Sequence, residues 1–473
     1  MTFLDKAEAV RSGSADSVRS LAATEFIETL KLALPIALTQ LGQIAMMTTD
    51  LALIGRLGDT AVAAASLAHT VFFVAFVIGM GLVSAVAPLA AQALGARQPR
   101  NVRRALRVGL WAALMICVPM MMLPLFGEKI LLMLGQAPEN ARLAQHYLLG
   151  LAPGMAPALC FMAIRNFMGA VNRPEPGLWI TLAAIPANAL LGYALIHGHW
   201  GMPKLELLGA GVATTTVNFG MCAAALWSTY SQRPFKKFHV LGHFWRSDWQ
   251  LMRQLVIIGA PIAVSFLLEY GLFSAAGLLM GLIGTTALAA HQIALQIAAI
   301  LFMVPFGIGM AATVRVGQAL GRGDAPAIRR AGVAAIVLGI IFMTTMTLAV
   351  IVVRFDLAGL FFGDTRQGLT AIELAATLML VGATFFIADG IQTVAAGALR
   401  GLSDTRVPLL LAAVSYWLIG FTAACGLAFW TSLSAIGVWI GLSIGTGIYA
   451  ILLVARFRAL TWRLRLQHDR SGF

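Results

Sequence analysis

Three acidic residues lie inside long apolar stretches of this sequence, where an ionised side chain is costly. Glu269 lies near the middle of an apolar run over 256–280, Asp389 follows Ala-Thr-Phe-Phe-Ile-Ala, and Asp50 ends a polar series in the first apolar run. A carboxylate at such depth costs about 3 kcal/mol on insertion scales, so these residues usually face a cavity, a partner or an ion. They predict a cation or proton site; a neutral acid bonded to a neighbouring helix is the structural alternative.

No arrangement typical of an enzyme accompanies these acids. The sequence has no His-Glu-x-x-His pattern and no nucleophile at a recognisable spacing from a base. All four cysteines fall inside apolar runs, without paired spacing or nearby histidines, which indicates packing residues rather than disulfides or a metal site. We expect no catalytic residue, no resident metal and no cofactor.

The composition is that of a protein embedded in a membrane. Of the 473 residues, 59% are hydrophobic and 11% are charged, and the mean hydropathy is +0.85, far from soluble composition. The formal net charge of +13 would suggest nucleic acid in a soluble protein. Here the excess lies in short loops beside apolar runs, where topology and anionic lipid headgroups explain it, so nucleic-acid binding is not expected.

Apolar runs able to cross ~30 Å of hydrocarbon recur about twelve times, which predicts an all-α integral membrane protein. The runs lie near 30–54, 61–88, 106–126, 143–165, 176–198, 207–230, 251–276, 283–314, 331–353, 371–397, 407–430 and 433–456. Lysine and arginine gather at the N-terminus and at 97–107, 233–253, 315–330 and 456–470. With an even number of spans, the positive-inside rule predicts that both termini are cytoplasmic, in the inner (plasma) membrane of a cell.

The chain contains an internal repeat. A displacement of 226 positions aligns Pro35-Ile-Ala with Pro261-Ile-Ala, Gln92-Ala-Leu-Gly95 with Gln318-Ala-Leu-Gly321, and Arg103-Arg-Ala with Arg329-Arg-Ala. A displacement of 232 then places Gly169 on Gly401 and Pro176 on Pro408. Each half is one copy of about six spans, and an even number relates the copies by a pseudo-two-fold axis along the membrane normal.

The repeat sets the expected organisation around a central cavity. We predict a cytoplasmic tail over 1–28, an N-lobe over 29–230, a cytoplasmic linker over 231–250, a C-lobe over 251–457 and a basic cytoplasmic tail over 458–473. The acids break the symmetry, since Glu269 aligns with Gln43 and Asp389 with Pro157. The glycines and prolines recur in both halves, whereas the acidic residues do not. This pattern is expected if the two repeats form a scaffold that rocks during transport and the acids serve a function inside it.

Several segments resemble one transporter family. They are Ala-Ala-His291-Gln-Ile-Ala, Phe302-Met-Val-Pro-Phe-Gly-Ile-Gly, Ala-Thr-Val-Arg315-Val-Gly-Gln-Ala-Leu-Gly321, Gly397-Ala-Leu-Arg400-Gly-Leu-Ser-Asp404-Thr-Arg-Val-Pro408 and Asp50-Leu-Ala-Leu-Ile-Gly-Arg-Leu-Gly58. Together they resemble the NorM-type branch of the multidrug and toxic compound extrusion transporters, over nearly all of the chain beyond the N-terminal tail. The resemblance implies a twelve-helix, two-lobed antiporter that expels small organic cations in exchange for inward Na⁺ or H⁺, and we expect it to act as a monomer among membrane lipids.

The resemblance also assigns site residues. The cation-coupling acids of that branch fall on Glu269 and Asp389, which would hold Na⁺ if sodium is the coupling ion. A first-helix aspartate and a fifth-helix asparagine fall on Asp50 and Asn188, a possible N-lobe site for a cation or the substrate. The DinF-type branch has a fifth-helix aspartate that this sequence lacks, which favours coupling in the C-lobe.

Side chains near the acids are candidates for the lining of the cavity, namely Gln43, Tyr270, Gln292 and Phe385. Aromatic rings there could hold a flat cation by cation–π contact, although rings at helical spacing more often pack in the core or face lipid.

Two other transport functions compete with antiport. A flippase of a lipid-linked intermediate can share a related two-lobed bundle, but it would need a cationic cavity for a pyrophosphate headgroup, and the mid-span charges here are acidic. An ion channel is disfavoured because no short filter-like loop separates the spans.

Overall fold

The structure, a computed structural model, describes residues 3–233, 235–238, 245, 248–360 and 366–471, with side chains described within these ranges between residues 23 and 467, apart from 366–368. Most of these residues are helical, and they form no strand. The first half contains α1 (Phe3–Gly55), α2 (Asp59–Ser84), α3 (Val86–Gly95), α4 (Pro99–Leu125), α5 (Gly127–Met133), α6 (Pro138–Leu151), α7 (Met155–Ala170), α8 (Glu175–His197) and α9 (Glu206–Ser231).

The second half repeats this arrangement after a short linker. It contains α10 (Trp249–Ile283), α11 (Thr285–Arg322), α12 (Ala325–Gly359), α13 (Arg366–Val381), α14 (Ala383–Gly401), α15 (Arg406–Ala412), α16 (Thr422–Phe429) and α17 (Ser434–Ser471). A π-helical segment, Ala413–Phe421, joins α15 to α16. Below, N-lobe denotes α1–α9 and C-lobe denotes α10–α17.

The helices confirm the expected membrane protein. Within the described residues, eleven helices or continuous helix pairs are long and apolar enough to cross a membrane, and α13 with α14, bent by 49°, brings the number to twelve. Helices suit a bilayer because they satisfy every backbone hydrogen bond within one segment. The bundle buries mainly small side chains, whereas large apolar ones such as Leu278 and Trp179 are exposed, as expected where lipid covers the outer faces.

The predicted tails and linker are partly helical. Helix α1 begins at Phe3, and α17 continues to Ser471, so both regions predicted as tails extend the adjoining spans. In the predicted linker, Phe235–Phe238 form a 3₁₀ turn. Residues 234, 239–244 and 246–247 of the linker lie outside the described residues.

The lobes pack against each other through repeated glycines. Helices α1 and α3 pack on α11, and α2 packs on α10. A Cβ on Gly81 would overlap the backbone of Ala263, and a Cβ on Gly307, the repeat equivalent of Gly81, would lie 2.7 Å from the nitrogen of Ala37. Because Ala37 and Ala263 are also equivalent in the repeat, the two close approaches are related by the pseudo-two-fold axis, and only glycine fits at either.

Hydrogen bonds between the lobes follow the same symmetry near the arginine-rich end, where residues 97–107 and 315–330 lie. Gln92 donates from Nε2 to the hydroxyl of Ser403 (2.9 Å), and its repeat equivalent Gln318 donates from Nε2 to Oδ1 of Asn172 (3.1 Å). The lobes are therefore joined at the arginine-rich end.

This contact corrects the alignment of the second part of the repeat. Asn172 and Ser403 each end a helix with a positive φ of 59°, and each amide donates to the carbonyl three residues earlier. These turns are equivalent, so the sequence alignment, which pairs Asn172 with Asp404 instead of Ser403, is wrong by one position at this point. Paired glycines and prolines on either side of a turn do not fix its register.

Candidate functional site

The two acids of the C-lobe meet across one amide group. Glu269 lies half-buried on α10, and Asp389 is 5% exposed on α14. Gln392 lies one turn after Asp389, so it shares its helix face. Its Nε2 donates to Oε1 of Glu269 (2.9 Å) and to Oδ1 of Asp389 (2.8 Å). The structure thus joins the two predicted coupling residues through a side chain that the sequence analysis did not single out.

Tyr416 completes this group from a third helix. It lies in the π-helical segment Ala413–Phe421, a geometry often found at functional sites. Its buried hydroxyl donates to Oε1 of Gln392, and its ring packs against Tyr449 of α17 at 4.9 Å between centroids. Because the acceptor of Gln392 is thereby used, its Nε2 is fixed toward the two carboxylates. No signal in the sequence pointed to Tyr416, whereas Gln392 could have been found by its spacing from Asp389.

A small cavity of about 20 Å³ lies among these side chains. Its lining comes only from the C-lobe: Ser265, Phe266, Glu269, Phe302, Phe306, Gln392, Thr393, Ala396, Arg400, Tyr416 and Tyr449. Such a volume holds about one water-sized species. Carboxylate, amide and hydroxyl oxygens are the donors that hard cations prefer, so the cavity suits one small cation.

The N-lobe holds a separate acid with a different environment. Asp50 is 8% exposed, and the fully buried Asn188 of α8 donates from Nδ2 to its Oδ1. The hydroxyl of Thr214 on α9 donates to its Oδ2 at 3.0 Å. The structure therefore brings Asp50 and Asn188 together, and adds Thr214, which the sequence analysis did not consider.

The four candidate lining residues lie in different places. Gln43 is half-buried on α1, and Gln292 is exposed on α11. Tyr270 packs against Phe73 of the other lobe, with ring centroids 5.0 Å apart. Phe385 is buried among aromatic side chains of the C-lobe, including Trp439 at 5.6 Å between centroids.

A larger cavity, of about 410 Å³, lies away from the acids. It opens between the lobes near the arginine-rich end, and its lining includes Gln92, Asn101, Arg104, Gln250 and Gln254 but no carboxylate. Its polar amide lining indicates a hydrated space rather than a cation site.

Comparison with known proteins identifies the family. A profile of the MatE family matches residues 35–194 and 261–425, one segment in each lobe and together more than half of the chain. The chain belongs to the MatE family. This confirms the resemblance read from the motifs, and it makes the protein a transporter rather than an enzyme.

Curated relatives of this MatE protein span nearly its whole length. A "Probable multidrug resistance protein NorM" of Bradyrhizobium diazoefficiens is 61% identical over 98% of this chain and 100% of its own length. A protein of the same name from Rhodopseudomonas palustris is 58% identical over 93% of this chain and 92% of its own length.

Solved structures confirm the fold. The eukaryotic MATE transporter AtDTX14 matches with a TM-score of 0.84 at 20% identity, over 94% of this chain and 99% of its own. A MOP superfamily transporter from Pyrococcus furiosus matches with a TM-score of 0.84 at 18% identity, over 93% and 97%. The Pyrococcus furiosus transporter has a binding pocket of reverse polarity, which suggests a different function for it. Since one fold accommodates both, function must be argued from the charges of the site.

Proposed function

We propose that this protein is a multidrug efflux antiporter that exports small organic cations in exchange for inward Na⁺ or H⁺. The names of its curated relatives support multidrug efflux. The observation that carries the antiport is that Glu269, which lines a small C-lobe cavity, and the buried Asp389 meet on the amide nitrogen of Gln392, which lines the same cavity.

Exchange follows from the charge and the size of this site. A carboxylate in a low-dielectric cavity is neutralised by a proton, a sodium ion or a cationic group of the substrate, because unbalanced charge is costly there. The cavity accommodates about one water-sized species. Two cations therefore compete for the acids, and departure of one accompanies arrival of the other.

The lobes would alternate access to the acids by rocking about the pseudo-two-fold axis. Contacts between Gln92 and Ser403 and between Gln318 and Asn172 hold the arginine-rich end together. By the positive-inside rule, that end and both termini are cytoplasmic in the inner membrane. Each charge that moves inward across 100 mV contributes ~2.3 kcal/mol, to which the ion gradient adds.

The orientation can be tested at the end of the N-lobe. Ser231 is exposed at the C-terminus of α9, so a cysteine there should react with an impermeant maleimide only after the cells are permeabilised. Labelling of intact cells would reverse the assigned orientation.

A flippase of a lipid-linked pyrophosphate remains the alternative function. Such a headgroup needs net positive charge in the cavity. Here Glu269 and Arg400 line the cavity, and a second carboxylate, Asp389, lies beside it on the lining Gln392. A negative site favours cations as cargo.

The coupling experiment uses everted vesicles, in which export carries a fluorescent organic cation from the medium into the lumen, with Na⁺ and pH gradients imposed one at a time. We expect dye movement to depend on one gradient and to collapse when the matching ionophore dissipates it. The matched control is the Glu269→Gln, Asp389→Asn double variant, which keeps the side-chain volumes but lacks both negative charges. Dye movement that persisted in the parental protein without any ion gradient would contradict antiport.

A further inference from the structure

The C-lobe cavity contains a cation of its own. The side chain of Arg400, on α14, lines the same cavity as Glu269 and Gln392. Its guanidinium carbon lies 4.8 Å from the centroid of the Phe266 ring, and Phe266 is three residues before Glu269, on the same face of α10. The aromatic contact thus holds the guanidinium beside the acids.

This arginine differs from others near the lobe interface. Arg104 pairs with Asp248 at 2.5 Å, Arg315 with Glu25 at 2.6 Å, and Arg456 with Asp404 at 2.9 Å. Among the described side chains, no carboxylate lies within 4.0 Å of the Arg400 guanidinium. Its charge therefore acts on the cavity as a whole instead of neutralising one acid directly.

The guanidinium is also absent from the other lobe. In the register given by the equivalent turns at Asn172 and Ser403, the position of Arg400 corresponds to Gly169. The positive charge, like the two acids, belongs to one copy of the repeat alone.

The charges in and beside the cavity can be added. Glu269 and Arg400 line the cavity, and Asp389 adjoins it through its hydrogen bond with the lining Gln392. When both carboxylates are ionised, the two acids bring two negative charges and Arg400 brings one positive charge, which leaves one net negative charge. A volume of about 20 Å³ holds about one water-sized species. Charge and volume therefore set the same capacity, a single monovalent cation.

We propose that Arg400 is a specificity-determining residue whose fixed positive charge limits the C-lobe site to one monovalent cation at a time. This inference rests on the proposed function, because it takes Glu269 and Asp389 as the cation site. It adds to that function the number of cations that the site holds. One coupling ion would then be exchanged for each singly charged substrate molecule.

Charge compensation tests this role. The purified full-length protein in lipid nanodiscs is titrated with tetraphenylphosphonium, a monovalent organic cation. Asp389→Asn leaves Glu269 and Arg400 with no net charge, and we expect binding to weaken at least about tenfold, a change of ~1.4 kcal/mol. Adding Arg400→Gln restores one net negative charge, and we expect the double variant to bind at least about tenfold more tightly than Asp389→Asn.

The matched control keeps the charge and changes the shape. Asp389→Asn with Arg400→Lys has no net charge, so it should bind as weakly as Asp389→Asn alone. Arg400→Met replaces Arg400→Gln in the double variant if the latter does not elute as a monodisperse species. A purely structural arginine would give the opposite ranking, because each further substitution would weaken binding.

The outcomes separate the two proposals. In one outcome, the parental protein binds tetraphenylphosphonium tightly while neither folded double variant, with Arg400→Gln or Arg400→Met, regains the affinity lost in Asp389→Asn. That result overturns the role of Arg400 and leaves the cation site in place. A parental protein that binds no tetraphenylphosphonium contradicts the organic-cation function itself, and the capacity argument with it.

Discussion

The acids of the two lobes differ in how their carboxylate oxygens are hydrogen-bonded. In the N-lobe, each oxygen of Asp50 accepts a hydrogen bond, one from Asn188 and one from Thr214. In the C-lobe, Oε1 of Glu269 and Oδ1 of Asp389 accept from the same amide nitrogen of Gln392. Neutral donors thus contact both oxygens of Asp50. The carboxylate oxygens of the C-lobe acids can accept further contacts, which a cation would supply.

The scaffold around these acids is nevertheless duplicated. Close approaches at Gly81 and Gly307, and side-chain contacts of Gln92 and Gln318, recur at the repeat distance. A symmetric scaffold can therefore hold an ion site in one lobe only. Packing between helices needs only small side chains and backbone, whereas ion binding needs net charge.

The largest effect is expected from removing either C-lobe charge. Glu269→Gln and Asp389→Asn keep the side-chain volume but each leaves the group of Glu269, Asp389 and Arg400 without net charge, so each should reduce ion-driven efflux of a cationic dye to background. Expression and membrane insertion should be retained, since loss of a buried charge rarely harms insertion. If both variants pumped at the parental rate under the same gradient, the C-lobe site would be wrong and Asp50 would be the next candidate.

A smaller effect is expected from the symmetric glycines. In Gly81→Ala and Gly307→Ala the new methyl group meets the backbone of the other lobe, and overpacking of this kind costs about 1–3 kcal/mol. Both variants should destabilise the closed arginine-rich end and slow transport to a similar degree. The measurement is maleimide labelling of a cysteine at Ala93, which lines the larger cavity, together with dye efflux.

Gly220→Ala is the matched control for the glycine variants, because it lies in helix α9 and a Cβ there would meet nothing within 4 Å. It should label and pump as the parental protein does. If maleimide labelling rose in only one of Gly81→Ala and Gly307→Ala, the result would contradict the symmetry inferred for the lobe contacts.

The smallest effect is expected in the N-lobe. Asn188→Ala removes a neutral donor to Asp50, and loss of such a hydrogen bond costs about 1–3 kcal/mol. Thr214→Val removes the second donor with little change in shape. Each should lower the thermal stability of the purified protein and reduce dye efflux by less than either C-lobe variant. A complete loss of transport in Thr214→Val, at normal expression, would make Asp50 an essential ion site and contradict the one-sided assignment.

The sequence by itself determined the number and order of spans, the duplication, and the span in which each acid lies. Apolar runs of sufficient length fix where a chain crosses a bilayer, and the helices of the structure occupy the predicted runs. Motifs around Arg315 and Arg400 pointed to the family that the MatE profile then established.

Only the tertiary structure decided which side chains meet those acids. Gln392 had the spacing to face Asp389, but its contact with Glu269, the reach of Tyr416 and the position of Arg400 depend on how α10, α14 and the π-helical segment are rotated and staggered. In a membrane protein, lipid-facing and helix-facing surfaces are both apolar, so the sequence pattern gives little information about rotation. Packing of small residues between helices sets it, and with it the composition of the site.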